Sequence, residues 1–429
     1  MIPVLDIARR RAASYRAIVG EQVVDEIEQL AADLEGARVL HINATAFGGG
    51  VSELLSTVVP LMNDIGLACE WHVMEGDPAF FRATKAMHNG LQGMPVEWSA
   101  EMAETWRATN RNNARMLEDS WDFVVVHDAQ PAAVLAALEM ESGRRPSGRW
   151  IWRCHVDLTD ARDDVWAFLN PYVGLHDAAV FTLGSYVRHD LRPQVMIIPP
   201  AIDPLSPKNM PIEKVAIRSC LDRYKVDPNR PIVVQVSRFD PWKDPIGVID
   251  AFRLAKTEVR GLQLVLVGSM ADDDPEGWEW YERTVAHAAT DSDIHVLTNL
   301  DGANSFEVNC FQRAADVVVQ KSLREGFGLV VSEALWKERA LVSTSVGGLP
   351  LQVVDGSTGR FATDSDDFSD QIVDYLRHPE ERRRSGLAGR EHVRQNFLIT
   401  RYLRDYLLLF RHLGAPRLAE ARQPVELTA

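Results

Sequence analysis

The chain has 429 residues, of which 46% are hydrophobic and 25% charged, a soluble globular composition with enough material for two domains. Lysine and arginine number 46 against 61 aspartates and glutamates, a formal charge of −15. A surface that acidic disfavours nucleic acid or an anionic membrane as the main partner, so an anionic ligand must be held by a local basic cluster.

The four cysteines, Cys69, Cys154, Cys220 and Cys310, are far apart and form no CxxC pair. Neither a disulfide framework nor a zinc site is expected. The opening "MIPVLDIARRRAASYRAIVG" lacks the long apolar core of a secretory signal. No apolar run approaches the roughly 20 residues a membrane span needs. A reduced cytoplasm is the expected compartment.

The first predicted strand, "ARVLHIN" (37–43), runs into "NATAFGGGVSE" (43–53) and then the helical "SELLSTVVPLMNDIG" (52–66). Gly48, Gly49 and Gly50 therefore sit between a strand and a helix N-terminus, where free N–H groups and the helix dipole suit an anion. Alone, such a triplet is equally a tight turn; it is neither GxGxxG nor a P-loop. "DFVVVHD" (122–128) predicts a second strand, followed by "HDAQP", where Asp128 or Gln130 could reach a second substrate, and by the helical "AVLAALEM" (133–140). "RWIWRCH" (149–155) ends in His155, a catalytic candidate, although a lone histidine at a strand end is more often a structural residue. "AAVFTL" (178–183) and "VMIIPP" (195–200) complete the first series of strands.

"PPAIDPLSPKNMP" (199–211) holds five prolines without a period and reads as a linker or hinge. The pattern then restarts with strands at "PIVVQVSRF" (231–239), "LQLVLVGS" (262–269), "DIHVLTN" (293–299), "ADVVVQ" (315–320) and "ALVSTS" (340–345). Helical stretches intervene, for example 245–258 and 305–315, and "TRYLRDYLLLFRHLG" (400–414) is an amphipathic helix ending in Gly. Strand–helix alternation in two series predicts an α/β protein of two Rossmann-like domains facing a cleft, with parallel sheets covered on both sides. The expected divisions are 1–205, 206–398 and a C-terminal helix and tail at 399–429.

Ligands of such sheets bind at the loops after the carboxyl ends of the strands. In "VSRFDPWKDP" (236–245), Arg238 and Lys243 leave a buried strand around a turn set by Asp240-Pro241. A fork and a point charge there suit a diphosphate, although a plain surface pair has the same spelling. In "REGFGLVVSE" (324–333), Glu325 lies in the loop, Gly326-Phe327-Gly328 forms the turn, and the amides of Gly328 and Leu329 open a helix toward a phosphate. Glu333 sits about two turns further on; it is either a solvated surface glutamate or an acceptor for paired ligand hydroxyls. A ligand with phosphates in its middle and hydroxylated rings at both ends is a nucleotide sugar. The acidic "ADDDPEG" (271–277) lacks EF-hand spacing and reads as a solvated loop, so no metal site is expected.

Taken together, Glu325…Glu333, "SRFDPWK", the early glycines and the strand-ending His155 resemble the retaining GT-B glycosyltransferases of group 1 over nearly the whole chain. A narrower resemblance is to the trehalose glycosyltransferring synthases, carried by "GGGVSELLSTVVPLMNDIGL", "FFRATKAMHNGLQG", "HDAQP", "RCHVDLT", "SRFDPWKD" and "SLREGFGLVVSEALWK". It implies Glu325 on the donor sugar hydroxyls, Glu333 on the ribose, Arg238 with Lys243 on the diphosphate, and the glycine loop at phosphates and donor sugar. It also implies His155 beside the reacting sugar, and an acceptor pocket that includes Lys85, Asn89, Gln92, Asp128, Gln130 and Asp157. The C-terminal helix is expected to cross back to the first domain.

The activity implied is transfer of glucose, with retention, from a nucleoside-diphosphate glucose such as UDP- or ADP-glucose to free glucose, giving α,α-1,1-linked trehalose. No cofactor is required on this reading, and Mg2+ is at most a stimulant, because cationic side chains stabilise the leaving group. No carboxylate is placed as a nucleophile for double displacement, which favours a same-face substitution. Closure about 199–211 would exclude water. Chains of this kind often form homodimers, though no interface is legible. The alternatives are a glucose-1-phosphate-dependent trehalose phosphorylase, a group 1 enzyme with another acceptor, a nucleotide-sugar epimerase and a non-catalytic sensor.

Overall fold

A computed structural model of the protein describes residues 1–3, 8–47, 49–118, 120–270 and 275–415. It divides into two units, Met1–Pro200 with Ile399–Ala429, and Ala201–Leu398.

In the first unit, seven strands form one sheet: β1 (Ile2–Pro3), β2 (Arg38–Asn43), β3 (Ala68–Val73), β4 (Phe123–His127), β5 (Arg149–Arg153), β6 (Ala178–Phe181) and β7 (Gln194–Ile197), ordered β1-β3-β2-β4-β5-β6-β7. All neighbours are parallel except β1 and β3. Every strand predicted for this half is present. β3 escaped the sequence reading because its residues alternate between exposed and buried, so "ACEWHV" is not the continuous apolar run of a central strand.

Alternation along the central strands gives two faces. Leu40, Ile42, Val124, Val126, Trp150 and Trp152 enter one hydrophobic core. On the other face Phe123 stacks on Phe410 with ring centroids 4.3 Å apart, and His41 lies 6.2 Å from Tyr406. Both partners belong to the helix Ile399–Leu413, which packs against the helices Glu21–Ala32 and Gly50–Asp64. The C-terminal helix thus returns to the first sheet, as the resemblance implied. Its Tyr402, Leu403, Tyr406, Leu407, Leu409 and Phe410 are all buried.

The second unit has six parallel strands, β8 (Ile232–Val236), β9 (Gln263–Gly268), β10 (Ile294–Thr298), β11 (Val317–Gln320), β12 (Ala340–Ser343) and β13 (Arg360–Phe361), ordered β10-β9-β8-β11-β12-β13. Counted from β8 this is the 3-2-1-4-5-6 order of the Rossmann fold, and the order reverses between β8 and β11. In the first unit the reversal falls between β2 and β4. Crevices for ligands open at such switch points, beyond the carboxyl ends of the strands.

The proline-rich 199–211 stretch, expected as a linker, is fastened to the second unit from residue 201 onward. Ile202 donates its N–H to the Phe397 carbonyl at 2.9 Å, and Asn309 Nδ2 donates to the carbonyls of Pro207 and Met210, each at 2.9 Å. Proline removes backbone donors, so this segment pairs as a strand only at the Ile202 bridge and is otherwise held by local turns and side-chain amides. Among the described residues no helix is long and apolar enough to cross a membrane.

Candidate active site

At the switch point of the second unit, two loops are laced together by polar residues that end adjacent strands. Gln235 near the end of β8 donates from Nε2 to the Lys243 carbonyl at 3.0 Å and accepts from the Lys321 amide at 3.1 Å. Asp240 caps the short turn Pro241–Lys243, its carboxylate accepting from the Lys243 N–H at 3.1 Å. That turn aims Lys243 Nζ at Glu325 Oε2, 2.6 Å away, where Gln320 Nε2 and Ser322 Oγ also donate at 3.3 Å each. Lys243 and Glu325, assigned from sequence to different parts of one ligand, therefore meet as a largely buried ion pair. Beside them Lys321 pairs with Asp244. Arg238 is more exposed and pairs with Asp240 at 3.0 Å.

The Glu325–Leu329 loop owes its shape to two glycine sites. Gly328 caps the helix Leu329–Trp336 at φ 82°, a left-handed conformation, and a Cβ there would stand 3.1 Å from Glu325 Cγ. Gly348, in the Gly-Gly turn after β12, lies so close that a Cβ would meet the Gly326 carbonyl at 2.6 Å. Its N–H donates to the Glu325 carbonyl at 3.1 Å. Phe327 is buried against Phe397, with ring centroids 5.5 Å apart, so it serves the core of this loop and leaves Gly326 and Gly328 as its backbone surface.

Glu333 is buried, with 2% of its surface exposed, which rules out the solvated-helix reading. Its Oε1 lies 3.9 Å from Lys208 Nζ, while Oε2 has no hydrogen-bond partner among the described residues. Below it, Lys337 Nζ reaches Asn209 Oδ1 at 2.9 Å, Gln312 Oε1 at 2.7 Å and the Glu333 carbonyl at 3.1 Å. Burial pulls the Lys337 ammonium down to about 7, opposed by the Glu333 charge. A buried carboxylate with an unused lone-pair oxygen is strained electrostatically unless a donor supplies hydrogen bonds, which a pair of ribose or sugar hydroxyls does.

In the first unit, Gly49 caps the helix Gly50–Asp64 with extended backbone, φ 176°, and open space where a Cβ would stand. The turn at Gly49 is thus one that any residue can make, so its backbone openness, not a special conformation, is what could serve a ligand. Gly48 lies outside the described residues. Asp128 follows β4 in a left-handed conformation, φ 61°, and its Oδ1 accepts the His155 N–H at 2.7 Å. Removal from water pushes its carboxyl up to about 6, opposed by the His155 amide and Arg153. His155 Nε2 lies 3.0 Å from His127 Nδ1, and His127 Nε2 lies 3.0 Å from His41 Nδ1. The carbonyl of Gln130 anchors Asn110 at 2.9 Å.

The other acceptor candidates lie in the loop after β5 and on a helix whose end borders that loop. Lys85 and Asn89 lie on the helix Pro78–Leu91, and Gln92 caps it. The end of that helix abuts 160–165: Arg162 donates its N–H to the Gly90 carbonyl at 3.0 Å, and a Cβ on Gly93 would meet the Asp160 carbonyl at 2.7 Å. Asp157, which opens this loop, accepts from Thr159 N at 2.9 Å and Oγ1 at 2.6 Å. Most of "ADDDPEG" lies outside the described residues. Sequence reasoning missed Gln235, Gln320, Lys321, Lys208, Lys337, Gly348, His41 and His127. A glutamine ending an otherwise β-branched strand, and a Gly-Gly turn after β12, were signals present in the sequence.

Residues 41–188 match the family model of the trehalose synthase N-terminal domain, and residues 221–392 that of group 1 glycosyl transferases. A trehalose synthase of Rubrobacter xylanophilus is 48% identical over 417 residues, covering 96% of this chain and 99% of that protein. The chain belongs to the trehalose synthase family. A second member, from Pyrococcus horikoshii, is 43% identical over 95% of this chain and 97% of its own length. A trehalose phosphorylase of Pleurotus pulmonarius is 25% identical over 84% of this chain but only 55% of itself. Among solved structures, a sucrose-phosphate synthase of Thermosynechococcus elongatus superposes with a TM-score of 0.69 at 17% identity, over 88% of this chain and 99% of that one. A UDP-forming α,α-trehalose-phosphate synthase of Burkholderia xenovorans gives 0.68 at 14% identity, over 88% and 100%. The fold is therefore that of GT-B glycosyltransferases, and as a trehalose synthase family member the protein is a hexosyltransferase of trehalose metabolism.

Proposed function

We propose that the protein transfers glucose, with retention of configuration, from a nucleoside-diphosphate glucose to free glucose, forming α,α-1,1-linked trehalose. The observation that carries the donor assignment is the buried Glu333 carboxylate, whose Oε2 has no hydrogen-bond partner among the described residues, on a helix that begins at the Gly328 turn beside Glu325. Ribose hydroxyls satisfy Glu333, donor sugar hydroxyls exchange onto Glu325, and Lys243 with Arg238 takes the diphosphate. Lys243 leaves Glu325 in part as the diphosphate arrives, so binding replaces an internal ion pair by two ligand contacts. The leaving phosphate's developing charge is then stabilised by these cations, without a required metal, and with Mg2+ at most stimulating. The first unit supplies the acceptor contacts, from Asp128, Gln130, Asp157 and the Lys85–Gln92 segment.

The test is incubation of purified protein with glucose and UDP-, ADP- or GDP-glucose, read by NMR of the anomeric protons. A symmetric α,α-linked product with one donor is expected, absent in Glu325→Ala. Glu333→Gln should raise the donor KM roughly 10- to 100-fold, the loss of one charge-assisted hydrogen bond, with a smaller effect on kcat. Donor consumed without disaccharide would overturn the acceptor assignment. The phosphorylase reading draws on the 25% identical Pleurotus relative; turnover of trehalose with phosphate, and none with any nucleotide sugar, would select it.

A further inference from the structure

His155, His127 and His41 stand in a row on neighbouring strands, each contact 3.0 Å between ring nitrogens. β2 and β4 pair in register with His41 beside Val125, and β4 pairs with β5 so that His127 lies beside Arg153. The row ends inside the protein. His41 is 1% exposed, its Nε2 has no hydrogen-bond partner among the described residues, and Tyr406 of the C-terminal helix packs over it. At the opposite end, His155 carries Asp128 on its backbone N–H and uses Nε2 for His127, so Nδ1 is the ring atom left to face a ligand.

Two nitrogens 3.0 Å apart share one proton; two facing N–H groups or two facing lone pairs are excluded. If each ring is neutral, the whole row has only two states. In one, every proton sits on Nε2, which buries a donor at His41 with nothing to receive it. In the other, every proton sits on Nδ1 and only a lone pair is left over at His41. An orphaned buried N–H is the rarer and costlier arrangement, so the second state prevails. Neutrality has its own geometric cause: the Arg153 guanidinium is fully buried beside the row, with no hydrogen-bond partner for any of its nitrogens among the described residues. Burial is the main cause that holds His127 and His155 well below the usual imidazole range; the Arg153 charge comes next for His155 and, after the two neighbouring histidines, for His127. Asp128 and Tyr406 also face the row, and the Tyr402 hydroxyl contacts that of Tyr406 at 3.4 Å.

We propose that His41 and His127 are positioning residues that lock His155 in its Nδ1–H tautomer, making it a one-way hydrogen-bond donor to a sugar oxygen in the active site. His155 cannot accept a proton from a substrate hydroxyl at Nδ1 in this state. The acceptor's proton therefore leaves by another route, which agrees with its transfer to the departing phosphate in a same-face substitution. The catalytic half of this inference rests on the function proposed above; the tautomer half does not.

The experiment is a long-range proton–nitrogen correlation spectrum of the holo-chain labelled with nitrogen-15 histidine, at pH 7.5, with each of the three signals assigned from its His→Gln variant. All three rings in the Nδ1–H form are the expected result. An Nε2–H or doubly protonated His155 overturns the proposal. His41→Phe keeps the ring packing against Tyr406 but removes the donor, and should move His155 into a mixture of tautomers. His41→Asn places an amide N–H near the old Nδ1 and should restore the single form, which also covers the case in which the phenylalanine variant fails to fold. Unchanged His155 tautomers in a folded His41→Phe protein overturn the lock. In the trehalose assay, His41→Phe should lower kcat roughly 10- to 100-fold at unchanged donor KM, with recovery in His41→Asn. An all-Nδ1–H row with no kinetic change in His41→Phe would overturn the catalytic half alone.

Discussion

A glutamate on a helix eight residues after another glutamate is, in a sequence, as good a solvated surface residue as a ligand contact. What separates the readings for Glu333 is its removal from water and an oxygen without a hydrogen-bond partner among the described residues, neither of which has a sequence signature. The buried histidines make the same point through pH. Burial holds the imidazole of His41 down to about 3 and that of His176 to about 4, whereas both titrate near about 6.5 in an unfolded chain. The unfolded state therefore takes up protons first as the pH falls. The stability these two groups protect is fully present above about pH 6.5 and is lost progressively toward about pH 3 to 4. Between pH 7.5 and pH 5, each should remove on the order of 2 kcal/mol from the unfolding free energy. Urea titrations at the two pH values check this, and a His176→Gln variant should flatten the slope by one histidine's share; an unchanged slope would contradict its burial as a neutral ring.

Strands and helices were easier to read than the ties between them. Buried parallel strands such as "IVVQV" and "VVVQ" announce themselves as apolar runs, while the outlying β3, β1 and β13 do not, being half exposed or only two residues long. The functional loops then follow from the rule that ligands bind at the carboxyl ends of strands, and the expected Asp240-Pro241 turn is present. Unseen in the sequence was that Gln235 bridges the β8 and β11 loops, since a pairing across 86 residues depends on which strands become neighbours. The Gly328 turn can be tested at this scale. Gly328→Ala forces a Cβ into a left-handed site 3.1 Å from Glu325 Cγ and 3.1 Å from Leu349 Cδ2. It should cost about 1 to 2 kcal/mol in urea unfolding and impair activity by displacing Glu325. Gly184→Ala, with open space and no positive φ, should stay within about 0.5 kcal/mol. Equal effects at both positions would remove the conformational argument.

At the scale of the whole molecule, the last helix belongs to the first sheet although the second unit lies between them in the chain. Truncation before Ile399 would expose Phe123 and the His41 face and remove seven buried apolar or aromatic side chains of the helix. At about 1.5 to 3 kcal/mol each, that loss matches or exceeds the roughly 5 to 15 kcal/mol by which domains are stable. Residues 1–398 should accumulate as insoluble protein, or lose near-UV dichroism if soluble; a soluble product with native near-UV signal would refute the estimate. The sequence by itself determined the two Rossmann-like series, the loops in which Arg238, Lys243, Glu325 and His155 stand, and the family, because local periodicity and short motifs carry those signals. Only the tertiary structure decided that Lys243 pairs with Glu325, that Glu333 is buried with an oxygen unpartnered among the described residues, and that three histidines align in a row whose inner end lies against the C-terminal helix. Those facts arise where separate strands become neighbours and exclude water together, and neither condition exists in the chain until the sheets form.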